Sequence, residues 1–197
     1  MTGDGRVDAE RTPALTAARP GGPVLVYAVS GLGKSTLAAA HPARVLDADT
    51  FLYDAVALGF PDLDPRARLR AWRDLCRRRP WVEGGEVLAR WAAIRLALVE
   101  PFVAAMTHGT HPLVVTSLLD PPWLVSAYYG VERGRYLAHL RLAGREADNR
   151  QSEAMNDRLE GYAPLVRVPA GSFLGERGEI LGVVGGVRMQ SDRMIGV

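Results

Sequence analysis

Some short stretches of this chain are apolar at every position rather than at alternate ones. Val24-Leu25-Val26-Tyr27-Ala28-Val29 and Leu113-Val114-Val115-Thr116 are β-branched-rich runs with Gly, Pro or Ser beside them. Such runs read as strands buried on both faces. Ala43 to Asp47, Trp123 to Tyr128 and Leu165 to Val168 read as three further strands. Between the strands the spacing turns helical. Ser35 to Ala40 has high helix propensity and stops at His41-Pro42. The long interval from Thr50 to His111 predicts two or three helices. Asp64-Pro65 is an N-cap followed by proline at the first helical position, opening a helix to about Arg79 that Pro80-Trp81 breaks. Gly85 to Glu100 carries Val87, Leu88, Trp91, Ile94 and Leu98 at helical spacing. Pro101 should kink or restart that helix, and Gly109 should end it. Two more helices are predicted over Arg133 to Ala143, closed by Gly144, and over Glu146 to Glu160, closed by Gly161.

Strands alternating with helices predict an α/β fold, a parallel sheet of about five strands flanked by helices. Residues 23–185 form this domain, with a helical insertion over about 54–110. Residues 1–22, rich in Gly, Pro, Thr and charge, and 186–197 read as flexible tails. The N-terminus lacks the basic and apolar succession of a secretory signal. No apolar run approaches the roughly 18 residues of a membrane span. One cysteine, Cys76, excludes an internal disulfide framework and suits a cytoplasmic setting. The net charge of +2 points to no partner by itself, and nothing in the chain speaks to oligomeric state.

Composition sharpens the picture at one place. Of the 24 basic residues the sole lysine is Lys34, and it stands inside a glycine-rich loop. Lysine is a compact charge on a flexible stem and arginine a broad planar fork, so the two differ at a tight phosphate site. Ala28-Val29-Ser30-Gly31-Leu32-Gly33-Lys34-Ser35-Thr36 matches the Walker A pattern G-x-x-x-x-G-K-[ST] at every position but the first, where Ala28 replaces Gly. A strand precedes it and a helix follows, as that pattern requires. Gly31 and Gly33 permit backbone angles that aim several N–H groups at one point, and the following helix adds its N-terminus. Ser30, Gly31, Gly33, Lys34, Ser35 and Thr36 are therefore expected to hold the phosphates of ATP or GTP. Lys34 would reach the β- and γ-phosphates and the Ser35 hydroxyl would ligate Mg²⁺. The competing reading is an ordinary glycine turn.

Val45-Leu46-Asp47-Ala48-Asp49-Thr50 ends the second predicted strand with two carboxylates. Read as strand residues i and i+2, Asp47 and Asp49 would share a face at the carboxyl edge of the sheet, where ligands bind in open α/β folds. A carboxylate there can orient or deprotonate a hydroxyl, or hold Mg²⁺ through water. Alternatively, Asp49 caps the next turn with Thr50.

With these residues in place the chain resembles the small P-loop kinases that phosphorylate nucleosides, nucleotides or nucleic-acid ends. Within them it is nearest to the phage-type group that includes 5-hydroxymethyluridine DNA kinases. The likeness spans roughly residues 23–176 and is strongest in GLGKSTLA and the Asp-x-Asp. It extends to Leu113–Asp120, to Tyr136–Arg145 and to Gly171-Ser172-Phe173-Leu174 after a late strand. It implies a P-loop NTPase-type fold with an Arg-containing lid over about 133–160. It also implies ATP and Mg²⁺ as cofactors, Asp49 as the activator of the acceptor hydroxyl with Asp47 in support, and Arg141 and Arg145 as lid arginines. Arg135 and Arg150 are weaker candidates. The third strand ends in Thr116-Ser117 where the family usually has a metal-binding acid. That leaves Asp47, Asp49 or Asp120 to supply the carboxylate, or Ser35 to hold Mg²⁺ with phosphate and water.

Arg66, Arg70, Arg73 and Arg77 fall within an arc of about 60° on one helix face, with Leu69, Trp72 and Cys76 on a neighbouring face. That basic stripe either meets a nucleotide or DNA phosphate or is simply solvated. Trp81 either stacks on a base or, more commonly for such a residue, packs in a core. His41, His108, His111 and His139 show no metal spacing. The expected activity is ATP-dependent phosphoryl transfer to a nucleoside, nucleotide or modified DNA base. A P-loop ATPase or regulatory module, and a nucleic-acid-binding module with an inactive loop, remain as alternatives.

Overall fold

The computed structural model describes residues 15–17, 20–117, 125–144 and 150–186. Its centre is a five-stranded sheet in the order β2-β3-β1-β4-β5, with every pairing parallel. The strands are β1 Val24–Ala28, β2 Val45–Asp47, β3 Leu113–Thr116, β4 Ala127–Val131 and β5 Leu165–Val168. β1 and β3 are buried along their whole length, which is why their sequences are apolar without alternation. Val24, Val26, Leu113 and Val115 join one apolar cluster with Leu37, Ile180 and Val184. Leu25 and Val114 join another with Phe102 and Met106. The first cluster draws on α1 (Lys34–Ala40) and α8 (Gly178–Gly185), and the second on α5 (Gly85–His108). Helices thus flank the sheet, as the alternation of the sequence predicts.

α2 (Asp49–Gly59), α3 (Pro65–Arg77) and α4 (Pro80–Glu83) complete the helical lobe with α5. The lobe has its own cluster of Ala55, Val56, Leu75, Ile94 and Leu98, with Leu69, Trp72 and Trp91 packed against it. Asp64 caps α3 as expected, accepting from the amides of Arg66 at 2.9 Å and Ala67 at 3.0 Å. α6 (Tyr136–Leu142) and α7 (Arg150–Arg158) lie between β4 and β5.

Several expectations are corrected. β2 begins at Val45 rather than Ala43, and the fourth strand is Ala127–Val131 rather than Trp123 to Tyr128. Pro80-Trp81 starts a short helix instead of merely breaking one, and α5 runs on through Pro101. Trp81 is not a core residue. It is 62% exposed and meets Trp91 edge-on, with ring centroids 6.0 Å apart. Inside the stretch read as an N-terminal tail, Leu15 and Ala17 pack against the sheet's larger cluster, and Ser126 Oγ donates to the Thr16 carbonyl. Among the described residues no helix is long and apolar enough to cross a membrane.

Candidate functional site

The glycine loop joins β1 to α1 at the carboxyl ends of the strands. Gly31 has φ 94° and Gly33 φ 81°, left-handed angles that a side chain resists. A Cβ on Gly31 would also lie 2.8 Å from Leu140 Cδ2. Both glycines are therefore required by conformation, and Gly31 by space as well. Ala28, the departure from the loop pattern, is the fully buried last residue of β1, and its φ is not positive. No glycine is needed there. Its carbonyl instead accepts from Lys34 Nζ at 3.0 Å, and the Val29 carbonyl does so at 3.3 Å. The lysine side chain thus folds back along the loop and is 7% exposed.

The ammonium group also meets a carboxylate, with Lys34 Nζ 3.4 Å from Asp49 Oδ2. Asp49 is not a strand residue. β2 stops at Asp47, and Asp49 is the first residue of α2, so strand alternation does not align the two acids. Nor does Asp49 cap the turn. Asp47 Oδ1 accepts from the Asp49 amide at 3.1 Å, and Thr50 Oγ1 donates to the Asp47 carbonyl at 2.8 Å. Burial first, and then the charge of Asp49, raise the Asp47 carboxyl above its usual range.

Thr116 and Ser117, which stand where an acid was expected, turn out to hold the acid of the adjacent element. Asp49 Oδ1 accepts from Thr116 Oγ1 at 3.1 Å and from the Ser117 amide at 2.7 Å, while Oδ2 accepts from Ser117 Oγ at 2.7 Å. Tyr27 lies close enough to feel this carboxylate. Burial, followed by the charge of Asp49, pushes its phenol far above the ordinary value and keeps it protonated. Asp120 lies outside the described residues.

The loop also lines a cavity of about 540 Å³. Gly31, Gly33, Ser35 and Thr36 supply its polar floor, Leu142 and Ala143 one wall, and Phe173, Gly175 and Glu176 another. That volume lies in the range of small-molecule pockets. The loop is anchored to the latter wall, because the Leu174 amide donates to the Leu32 carbonyl at 3.0 Å. Ser35 and Thr36 are exposed, so their hydroxyls are accessible to a ligand. Among the described residues no group of three or more His, Cys, Asp or Glu side chains could hold a metal. A magnesium ion here would depend on Ser35 Oγ, a carboxylate and ligand oxygens.

Arg141 is exposed on α6, next to pocket-lining Leu142. Arg145 lies outside the described residues. Arg66, Arg70, Arg73 and Arg77 are all exposed on α3, and Arg77 pairs with Asp74 at 3.0 Å. The sequence reading missed Tyr136 and His139. Tyr136 donates its hydroxyl to the Ser30 carbonyl at 2.9 Å, and His139 Nε2 lies 3.1 Å from the Gly31 carbonyl. The signal for them, two loop-facing residues three apart on a helix, has no meaning until the partner loop is known.

Comparison with protein-family models, with curated proteins and with solved structures finds no match for this chain.

Proposed function

We propose that the chain is a P-loop kinase, transferring the γ-phosphate of ATP to a hydroxyl or phosphate of a nucleoside, a nucleotide or a modified base in DNA. The observation that carries this reading is the contact of Lys34 Nζ with Asp49 Oδ2 at 3.4 Å, beside a glycine loop and a nucleotide-sized cavity. The sheet order and the left-handed glycines agree with a P-loop NTPase-type fold.

In this reading the amides of Gly31 to Thr36 face the phosphates, and the cavity between α6 and the loop after β5 takes the base and sugar. The Ala28 and Val29 carbonyls accept from the Lys34 ammonium group itself, and the side chain would swing out of these bonds for its charge to meet the β- and γ-oxygens. Ser35, exposed on the cavity floor, would hold Mg²⁺ with ligand oxygens and water, and the ion would supply charge neutralisation on the transferring group. Asp49 is oriented by Thr116 and Ser117 and accepts the proton of the acceptor hydroxyl. The acceptor oxygen then bonds to the γ-phosphorus as the bond to the β-phosphate oxygen breaks, and ADP leaves. Arg141, exposed on α6 beside cavity-lining Leu142, would offer a cation for the developing charge.

The exposed basic face of α3 favours an acceptor bearing phosphate, including DNA. Trp81, left largely exposed close after that helix, is available to stack on a base. The test is incubation with γ-labelled ATP and nucleosides, monophosphates and 5-hydroxymethylated DNA. Acceptor-dependent label transfer is expected. Label released only to water would favour an ATPase, and DNA binding that survives Lys34→Ala with no ATP uptake would favour an inactive-loop module.

A further inference from the structure

The amides of a phosphate loop can converge on an anion only if the carbonyls of the same peptides turn away from it. Carbonyls turned inward and buried need donors of their own. In this chain α6 supplies them from one face. Tyr136 OH donates to the Ser30 carbonyl at 2.9 Å, and His139 Nε2 stands 3.1 Å from the next carbonyl, that of Gly31. Residues three apart on a helix share a face, so a single turn grips two consecutive peptides. Both side chains are fully buried.

The tautomer of His139 follows from its other partner. The Gly171 amide donates to His139 Nδ1 at 3.1 Å. A backbone N–H can only donate, so Nδ1 carries the lone pair and Nε2 carries the hydrogen that reaches Gly31. Gly171 belongs to the segment after β5 that continues to Phe173, Gly175 and Glu176 in the cavity wall. The ring of Phe173 packs on the imidazole at a centroid distance of 5.3 Å. One side chain therefore ties the phosphate loop to the opposite wall of the cavity.

We propose that Tyr136 and His139 are positioning residues for the phosphate cradle, holding the Ser30 and Gly31 carbonyls back so that the loop amides point at the triphosphate. This rests on the reading of Gly31 to Thr36 as a phosphate site. Neither residue lines the cavity. Without the two donors the Ser30 and Gly31 carbonyls each lose a bond that turns them away from the anion, and a carbonyl oxygen turned toward the anion repels it.

Calorimetric titration with Mg·ATP, with magnesium tripolyphosphate and with adenosine separates this role from simple folding support. Tyr136→Phe and His139→Met are each expected to weaken Mg·ATP and tripolyphosphate binding about three- to tenfold, the worth of one hydrogen bond. Adenosine, which carries no phosphate to engage the loop amides, should bind unchanged. His139→Gln places an amide donor near the Gly31 carbonyl and should restore most of the loss. Equal weakening for adenosine, unaltered ATP affinity in both variants, or no rescue by Gln overturns the proposal while the phosphate reading stands. If the unsubstituted protein takes up no Mg·ATP or tripolyphosphate, the phosphate reading fails with it. Should His139→Met not fold, Tyr136→Phe, which removes one oxygen atom, decides the matter.

Discussion

Asp49→Asn keeps the shape of the side chain and removes its charge, so it isolates what the carboxylate does. The Ser117 amide and the Thr116 hydroxyl still find an oxygen at Oδ1. At the Oδ2 place an amide nitrogen would face Lys34 Nζ, now 3.4 Å away, donor against donor. Hydrogen bonds to a charged group are worth about 1.5–3 kcal/mol and neutral ones about 0.5–1.5, so each bond weakens by about 1 kcal/mol. Removing one partner of a buried ion pair costs about 3–5 kcal/mol. That figure is discounted here, because Lys34 keeps two carbonyl partners and Asp49 is 18% exposed. Loss of the like charge beside Asp47 offsets a further part. These effects share partners and do not add. The net loss is about 2–4 kcal/mol, which in a domain of this size is about 4–16 °C in Tm. Circular dichroism on heating checks the stability. Labelled-phosphate transfer checks the chemistry, where loss of a general base should lower kcat by about 10²–10⁴ while Mg·ATP still binds. A Tm within 2 °C of the parent protein would refute the Lys34–Asp49–Ser117 network. A normal Tm loss with a transfer rate within about tenfold of the parent would refute Asp49 as the base.

Two further predictions follow from the geometry of the loop. Gly31→Ala must hold a side chain at φ 94° and push against Leu140, so it should lose about 2–4 kcal/mol and most Mg·ATP affinity, as read by thermal melting and calorimetry. An alanine tolerated without change in either would mean that the loop adopts other angles. The second concerns pH. Burial, opposed by the Gly31 carbonyl, lowers the His139 pKa below the ordinary value. The unfolded chain therefore takes up a proton near pH 6.5 that the folded chain refuses. The stability due to this group is complete above about pH 6.5 and falls as pH drops below it, by up to about 1.4 kcal/mol per pH unit. Urea denaturation at pH 7.5, 6 and 5 should show a steeper decline for the parent chain than for His139→Gln, and equal slopes would contradict the buried neutral imidazole.

The parts of this molecule that were legible in its sequence are those governed by local pattern. β3 and β5 lie where the apolar runs put them, and Asp64-Pro65 marks the start of α3 because cap and proline act on their own backbone. Pairing decided what local pattern could not. The apolar residues before Val125 draw the fourth strand too early, whereas the sheet pairs Val26 with Ala127 and Ala28 with Tyr129. Ala48-Asp49-Thr50 reads as the end of a strand, yet the helix has already begun at Asp49. Tyr136 and His139 were invisible because their partners lie 106 and 108 positions away.

Thr116-Ser117 is the most instructive case, since it reads as a missing acid only along its own strand. β2 and β3 are parallel neighbours, so the start of α2 and the end of β3 arrive side by side at one sheet edge. A carboxylate contributed by either occupies nearly the same space, provided the other contributes donors. Asp49 brings the charge, and Thr116 and Ser117 bring two hydroxyls and an amide to hold it against Lys34. The absent acid and the hydroxyl pair are therefore one feature. An acid introduced at Ser117 without removing Asp49 would set two carboxylates on a single ammonium group, which is repulsive rather than a repair.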